Sequence, residues 1–510
     1  MAVRPTHVDP VPVSEVAARA GARLDPPDAH ASLTGATVDS RGVLAGDLFG
    51  AIPGFSMHGA TFAAAAVAAG AAAVLTDEAG APLAETTGVP MIVSGDPRRA
   101  LGLASAAIYG DPSRALTLIG VTGTNGKTTT AYFIDAALRR VHAKTGLLGT
   151  VEMRIGGESV PAVRTTIEAP AFQAILARML EVGVSAATME VSSHALELGR
   201  VAGSRFAVAA FSNLQRDHLD FHPTMEDYFR AKARLFTPEL SERGVVCVDD
   251  EWGVRLGQES SIPVIRLATR PEAGAAEWTV VEARLSADGV GTDFTLVGPT
   301  GDRIEASSPL PARINVSNAA LAIIVAIEAG VPIADAVAGV ASLPGVPGRM
   351  QRVLERDAGT PLAIVDYAHT PDALERALEG ARTVTPGRLI SVFGAGGDRD
   401  TGKRPEFGKV AAALADVIVV TDDNPRSEEP GAIREGILAG LQEERPSMTD
   451  VHEVAPREDA IRFALALAAP GDTILLSGKG HEDYQEVAGV KHHFSDPEEL
   501  LKARAETGKR

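Results

Sequence analysis

A short aliphatic run, Leu116 to Val121, leads into Gly123-Thr124-Asn125-Gly126-Lys127-Thr128-Thr129, and Ala131 to Arg140 continues as a helical pattern. Strand, glycine-rich loop and helix in that order aim backbone N–H groups and a helix N-terminus at phosphates. On that reading Lys127 meets the β- and γ-phosphates of a nucleotide and the Thr128 hydroxyl reaches Mg2+. The strict G-x-x-x-x-G-K-[ST] pattern is not met, because Val121 holds its first glycine position. The bland alternative is an ordinary tight strand-to-helix turn.

A second apolar strand closes on Met189-Glu190-Val191-Ser192-Ser193-His194. Glu190 is placed to hold a metal beside the loop, since Mg2+ takes oxygen ligands; taken alone it reads rather as a solvated carboxylate near a helix start. Arg216-Asp217-His218-Leu219-Asp220-Phe221-His222 crowds acids and histidines into one segment and suggests a second metal site, although a single His218 would be a surface residue. Lys232, in Tyr228-Phe229-Arg230-Ala231-Lys232, is by periodicity a solvated helix lysine.

The last third repeats the theme of polar strand ends. Asn315-Val316-Ser317-Asn318 opens an alanine-rich helix, and Arg349 follows Pro344-Gly345-Val346-Pro347-Gly348, a stretch suited to a hinge. Asp366-Tyr367-Ala368-His369, Gly394 to Asp400 with Arg399, Asp422-Asp423-Asn424-Pro425-Arg426 and Gly478-Lys479-Gly480-His481-Glu482 each end an aliphatic run. Any one is ordinary turn chemistry; four together point to a shared ligand cleft.

The elements that must position these residues follow an α/β rhythm. The runs Leu116 to Val121, Ala187 to Val191, Val208 to Phe211, Val245 to Val248, Leu362 to Val365, Leu389 to Phe393, Val417 to Thr421 and Thr473 to Ser477 alternate with Ala/Leu helix patterns. In open parallel sheets, ligands bind outside the carboxyl ends of strands. The 510 residues suggest about three domains at roughly 150 residues each. The breaks fall so as to give 1–113, 114–344 and 345–510.

The net charge of −18 repels phosphate backbones and anionic membrane surfaces, so neither nucleic-acid binding nor membrane insertion is expected. The one cysteine, Cys247, sits in an apolar run and reads as a buried strand residue in a reducing compartment. No signal-peptide core or spanning stretch is evident, and a cytoplasmic protein is expected.

Gly123 to Thr129, Met189 to His194, Arg216 to Asp220, Asp366 to Pro371 and Ser477 to Glu482, in that order, together resemble the Mur ligases nearly end to end. The set is most similar to members that add meso-diaminopimelate to UDP-N-acetylmuramoyl-L-alanyl-D-glutamate in peptidoglycan synthesis, because Asp423-Asn424-Pro425-Arg426 resembles their diaminopimelate motif. The resemblance implies a three-domain α/β architecture: a small N-terminal UDP-binding domain, a central P-loop ATPase-like parallel-sheet domain, and a C-terminal Rossmann-like amino-acid-binding domain. It implies a monomeric ATP-dependent ligase acting through an acyl phosphate, with Mg2+ and a CO2-derived carbamate on Lys232.

By the same resemblance Gly123, Thr124, Asn125, Gly126, Lys127, Thr128 and Thr129 bind ATP with Asn318, Arg349 and His369. Ser40, His58, Thr165, Thr166, Ser192, Leu198 and Arg200 hold the UDP-sugar dipeptide, although Leu198 and Arg164 depart from the residues usual there. Arg399, Asp423, Asn424, Pro425, Arg426, Gly478 and Glu482 take diaminopimelate. Lys127, Lys232, His218 and Glu190 are the catalytic set, and Thr128, Glu190, His218 and Lys232 the metal set. A P-loop NTPase that uses hydrolysis for conformational work is the rival of another class.

Overall fold

The computed structural model describes residues 3–54, 56–161, 165–287 and 289–507; Arg164 lies outside them. The chain divides into two compact units, one built mainly from residues up to 281 with 295–304 and 317–340, the other mainly from 341 onward.

Among the described residues, two extended sheets build the first unit, beside a short pairing of Val11–Pro12 with Ser32–Leu33. The smaller runs in the order Arg23–Asp25, Met91–Val93, Ala73–Thr76, Asp47–Gly50, Gly35–Thr37, parallel apart from its first strand. Alternate residues feed two layers, because strand side chains point to opposite faces. Leu48, Leu75 and Ile92 pack under the helices Val13–Ala20 and Pro97–Ile108, while Phe49, Val74 and Val93 pack with Ala63, Ala66 and Ala84.

The larger sheet orders its parallel strands Thr145–Leu148, Ala186–Glu190, Thr117–Thr122, Phe206–Phe211, Ser241–Cys247, Val264–Ala268. Glu152–Ile155 and Glu158–Pro161 add an antiparallel edge. The inner strands are buried on both faces, which is why they read as unbroken apolar runs. Register pairs Glu190 with Val121 and Phe211 with Thr122, so three strands end level and the chemistry-bearing residues emerge together. Cys247 is buried in its strand, and burial pushes its thiol well up, as expected of an inert residue.

In the second unit a parallel sheet runs Leu362–Asp366, Thr473–Ser477, Leu389–Phe393, Val417–Val420, Val451–Glu453, with Gln351–Leu354 antiparallel at one edge. Ile364, Leu475 and Ile418 face one core; Val365, Leu476 and Val419 face the other. A hairpin, Tyr484–Val487 with Val490–His493, follows the last parallel strand.

Candidate functional site

The loop after Thr117–Thr122 needs its glycines. Gly123 lies at φ +145°, and a Cβ there would stand 2.0 Å from Ser212 Oγ; Gly126 lies at φ +84°, where a Cβ would stand 2.2 Å from Asn318 Oδ1. Gly126 starts the helix Lys127–Leu138 without a side-chain cap, leaving the first-turn N–H groups to a ligand. Lys127 Nζ lies back across the loop, donating to the carbonyls of Gly123 (3.0 Å) and Thr124 (2.9 Å). Gly126→Ala is therefore expected to raise the KM for ATP about tenfold while the protein stays folded, since strain and the Asn318 contact both fall on the loop. Steady-state kinetics at varied ATP checks it.

The loop is braced from the neighbouring strand end. Asn213 accepts from Asn125 N through Oδ1 (3.0 Å), donates to Asn125 O through Nδ2 (3.0 Å) and accepts from Thr124 N at its backbone (2.8 Å). Ser212 Oγ donates to Asn125 O (2.6 Å), and Gln215 Oε1 accepts from Asn125 Nδ2 (2.9 Å). Nothing in the spacing of Ser212, Asn213 and Gln215 signalled this role, because strand pairing across some 90 residues creates it.

Glu190 is fully buried, not solvated. Its carboxylate accepts from Thr128 Oγ1 (3.0 Å), Thr150 N (2.8 Å) and Thr150 Oγ1 (3.1 Å). The hydroxyl of Thr128 beside this carboxylate is a hard-oxygen pair of the kind Mg2+ takes. Among the described residues no three His, Cys, Asp or Glu gather into a metal-binding group, so the 216–222 segment forms no second cluster of that kind. Its rings stack instead. His194 packs on Phe221 with centroids 4.0 Å apart, His218 lies edge-on to His194 at 5.0 Å, and His222 leans on Tyr228 at 5.1 Å. Burial lowers the His218 pKa, which the nearby Asp217 opposes.

Lys232 overturns its periodicity. It lies on the helix Met225–Ala233, opened by a Thr224–Asp227 capping box, and is buried at 1% exposure. Tertiary packing overrides helical pattern here because the helix crosses beneath the phosphate loop. Nζ donates to Gly123 O (2.8 Å), the carbonyl that Lys127 also uses, and lies 4.6 Å from the Tyr228 ring centre. Burial, and then the charge of Lys127, hold its pKa well below the usual lysine value, with Asp217 opposing.

Thr165, Thr166, Ser192 and Arg200 come together next to Glu190. Thr166 Oγ1 donates to Glu190 O (2.9 Å) and accepts from Ser192 N (3.2 Å); Arg200 reaches Thr166 O (3.1 Å) and Glu168 (2.8 Å); Thr165 Oγ1 accepts from Thr150 Oγ1 (3.0 Å). Leu198 is half-buried just past the helix Ser193–Glu197. A cavity of about 650 Å³ opens nearby, lined by Thr37, Asp39, Met57, Phe62, Arg98 and Glu168 among others. Ser40 and His58 adjoin these residues in sequence without lining it. His58 caps a turn, accepting from Ala60 N (3.1 Å) at Nδ1 and pairing with Asp77 (3.0 Å) at Nε2, so it shapes the loop.

In the second unit, Asp423, Asn424, Gly478 and Glu482 meet around Lys479, a fully buried cation whose role no local pattern in the sequence signals. Its Nζ donates to Asn424 Oδ1 (3.1 Å), lies 3.4 Å from Glu482 Oε2 and 3.9 Å from Asp423 Oδ1, while Asn424 Nδ2 donates to Glu482 (2.9 Å). Gly478, at φ +117°, leaves room for the Asp423 carboxylate, 2.6 Å from where its Cβ would be. Arg426 has φ +53°, and the hairpin holds it there: Arg426 N donates to Glu486 O (2.9 Å) and Ala488 N to Arg426 O (2.6 Å). Its guanidinium reaches Gly397 O and, with the Arg399 stem, flanks Gly396. Pro425 sits between Asn424 and this strained position.

A separate cluster forms where Arg349 lies 4.5 Å over the Tyr367 ring, with His369 at 4.5 Å and His481 at 5.0 Å from that ring. Burial, then Arg349, push His481 down to about 4. A flat aromatic surface edged by a guanidinium suits a nucleobase.

Residues 32–109 match the family described as Mur ligase family, catalytic domain; 121–326 match Mur ligase middle domain; and 348–480 match Mur ligase, glutamate ligase domain. The chain is 49% identical over 507 residues to the UDP-N-acetylmuramoyl-L-alanyl-D-glutamate–2,6-diaminopimelate ligase of Streptomyces avermitilis, covering 99% of this chain and 98% of that one. It is 48% identical to the ligase of the same name from Streptomyces coelicolor, with the same coverage. A solved structure bearing that ligase name superposes with a TM-score of 0.68 at 34% identity, over 94% of this chain and 96% of the other.

Proposed function

The chain belongs to the Mur ligase family, with its three-domain α/β fold, and from that premise we propose that it joins meso-diaminopimelate to UDP-N-acetylmuramoyl-L-alanyl-D-glutamate, converting ATP to ADP and phosphate in peptidoglycan synthesis. The observation that carries the amino-acid choice is the pocket of Asp423, Asn424, Gly478 and Glu482 beside Arg426. Diaminopimelate differs from lysine by a carboxylate on its far end, which a planar guanidinium binds bidentately. Arg426 and Arg399 supply that, and Asp423 and Glu482 orient the ammonium.

Joining a carboxylate to an amine in water is uphill, and a carboxylate is a poor electrophile. ATP removes both obstacles: the D-glutamate γ-carboxylate attacks the γ-phosphoryl group, ADP leaves, and the diaminopimelate amine displaces phosphate from the acyl phosphate. The loop 123–129 holds the phosphates and Lys127 swings from its loop carbonyls to their charge, so this half is positioning and electrostatics. Thr166, Ser192 and Arg200 hold the dipeptide beside Glu190, and the 650 Å³ cavity takes the uridine end. Asn318 serves the nucleotide at the loop, and the family resemblance gives the same role to Arg349 and His369 in the second unit.

Mur ligases use ATP and Mg2+. Thr128 and Glu190 fit the metal, which when bound neutralises phosphate charge. Lys232 joins them as a carbamate: its buried amine is held toward the neutral form that attacks CO2, and the product offers oxygen where an ammonium would repel a cation. His218 stands at the rim of this set. We assign residues 1–113 to the UDP end, 114–344 to ATP and 345–510 to the amino acid, in a cytoplasmic monomer; no helix among the described residues is long and apolar enough to cross a membrane.

ADP release measured with each amino acid of a panel tests the reading. It should require both the UDP-dipeptide and diaminopimelate. Equal turnover with lysine would remove the specificity, and turnover independent of both organic substrates would favour an NTPase doing conformational work.

A further inference from the structure

Behind the amino-acid pocket lies a buried residue outside the set assigned to substrates. Arg457 and Asp496 form an ion pair in which both side chains have zero exposure. Arg457 Nε and Nη2 donate to the two Asp496 oxygens at 2.7 Å each; Nη2 also donates to Ser477 O (3.0 Å) and Nη1 to Asp422 O (3.3 Å). Those two carbonyls immediately precede Gly478 and Asp423.

The sheet order explains why such a tie is needed. Val417–Val420 and Thr473–Ser477 are not neighbours, because Leu389–Phe393 runs between them. No ladder hydrogen bond can therefore set the distance between the loops that leave them. A guanidinium can, since its rigid fork presents donors in several fixed directions at once, whereas a lysine ammonium is a compact point charge. A buried ion pair is weak as a source of stability, because desolvation offsets the attraction. Its placement, spanning two ligand loops, is the informative feature. With Lys479, Arg457 sets two buried cations against the three carboxylates of Asp423, Glu482 and Asp496, leaving one negative charge in excess and the pocket receptive to a substrate ammonium.

We propose that Arg457 is a positioning residue for amino-acid selection, its guanidinium setting the separation of the Asp423–Arg426 and Gly478–Glu482 loops, and that Asp496 makes the helix Asp496–Thr507 part of that support. This rests on the assignment of the pocket to diaminopimelate.

The test compares the unmutated enzyme with Arg457→Lys, which keeps the charge and loses the fork, and with the double variant Arg457→Met/Asp496→Leu, which leaves neither charge buried alone. In the double variant the KM for diaminopimelate should rise tenfold or more, with kcat at saturating diaminopimelate within threefold and the KM for ATP within twofold; Arg457→Lys should fall between. Amide hydrogen exchange at 423–426 and 478–482 should quicken while the strand Leu362–Asp366 keeps its protection. A folded variant whose KM for diaminopimelate and loop exchange stay within twofold of the unmutated enzyme would overturn the proposal. So would a parallel loss of ATP and amino-acid use, or failure of both variants to fold, either of which makes Arg457 a residue of the fold alone. Should the unmutated enzyme form no amide with diaminopimelate, the pocket assignment fails, while the exchange measurement still decides whether Arg457 sets the loops.

Discussion

Lys232→Ala is expected to lower amide formation by about a hundred- to a thousandfold, the scale on which removal of one charge-stabilising group at a reacting centre is felt. The side chain is buried beneath the phosphate loop, and its amine shares the Gly123 carbonyl with Lys127. Burial, and then the nearness of a second ammonium at Lys127, hold the deeper amine toward the neutral, nucleophilic form. A carbamate formed there would keep one N–H for the Gly123 carbonyl and offer oxygen, the ligand type that Mg2+ takes. Formate or acetate should restore part of the activity to Lys232→Ala, because either supplies the missing carboxylate. Lys232→Arg should stay inactive despite keeping a charge and most of the volume. Carbon-13 NMR in labelled bicarbonate should show a carbamate signal in the unmutated protein that Lys232→Ala lacks. A fully active enzyme with no such signal would end the carbamate idea.

Arg426→Ala is expected to reduce kcat/KM for diaminopimelate by about 2–5 kcal/mol, or roughly thirty- to several-thousandfold, the usual effect of truncating one partner of a buried charge pair. The KM for ATP should stay within twofold, because the partners of Arg426, Gly397 and Glu486, are not among the residues assigned to the nucleotide. Arg426→Lys should recover little, since a point charge cannot bind a carboxylate bidentately. The variant should also narrow the preference for diaminopimelate over lysine, whose far end has no carboxylate to lose. Kinetics with both amino acids decides this, and an unchanged ratio would move the specificity to another residue.

The local chemistry was legible from sequence because it is written in neighbouring residues. A glycine-rich loop between an apolar strand and a helix needs no distant partner to be recognised, and the parallel strands announced themselves because burial on both faces leaves no polar alternation. Residues such as Asp423 and Gly478 could be picked out because each ends a strand, where an open parallel sheet presents its ligands. Lys232 was the opposite case. Periodicity reports which face of its own helix a residue occupies, and only the packing of that helix under the phosphate loop makes the face buried.

The same reason separates the remaining residues. Asn213 braces a loop some 90 positions away through strand pairing, Lys479 acquires its partners from two loops, and Arg457 acts across a strand that lies between the two it connects. The sequence by itself determined the α/β class, the strand ends and the side chains available to a nucleotide and an amino acid, since these depend on short-range pattern. Burial, pKa and the bracing of each loop were decided by the tertiary structure, because they depend on which distant backbone groups and charges the sheet order brings within a few ångströms.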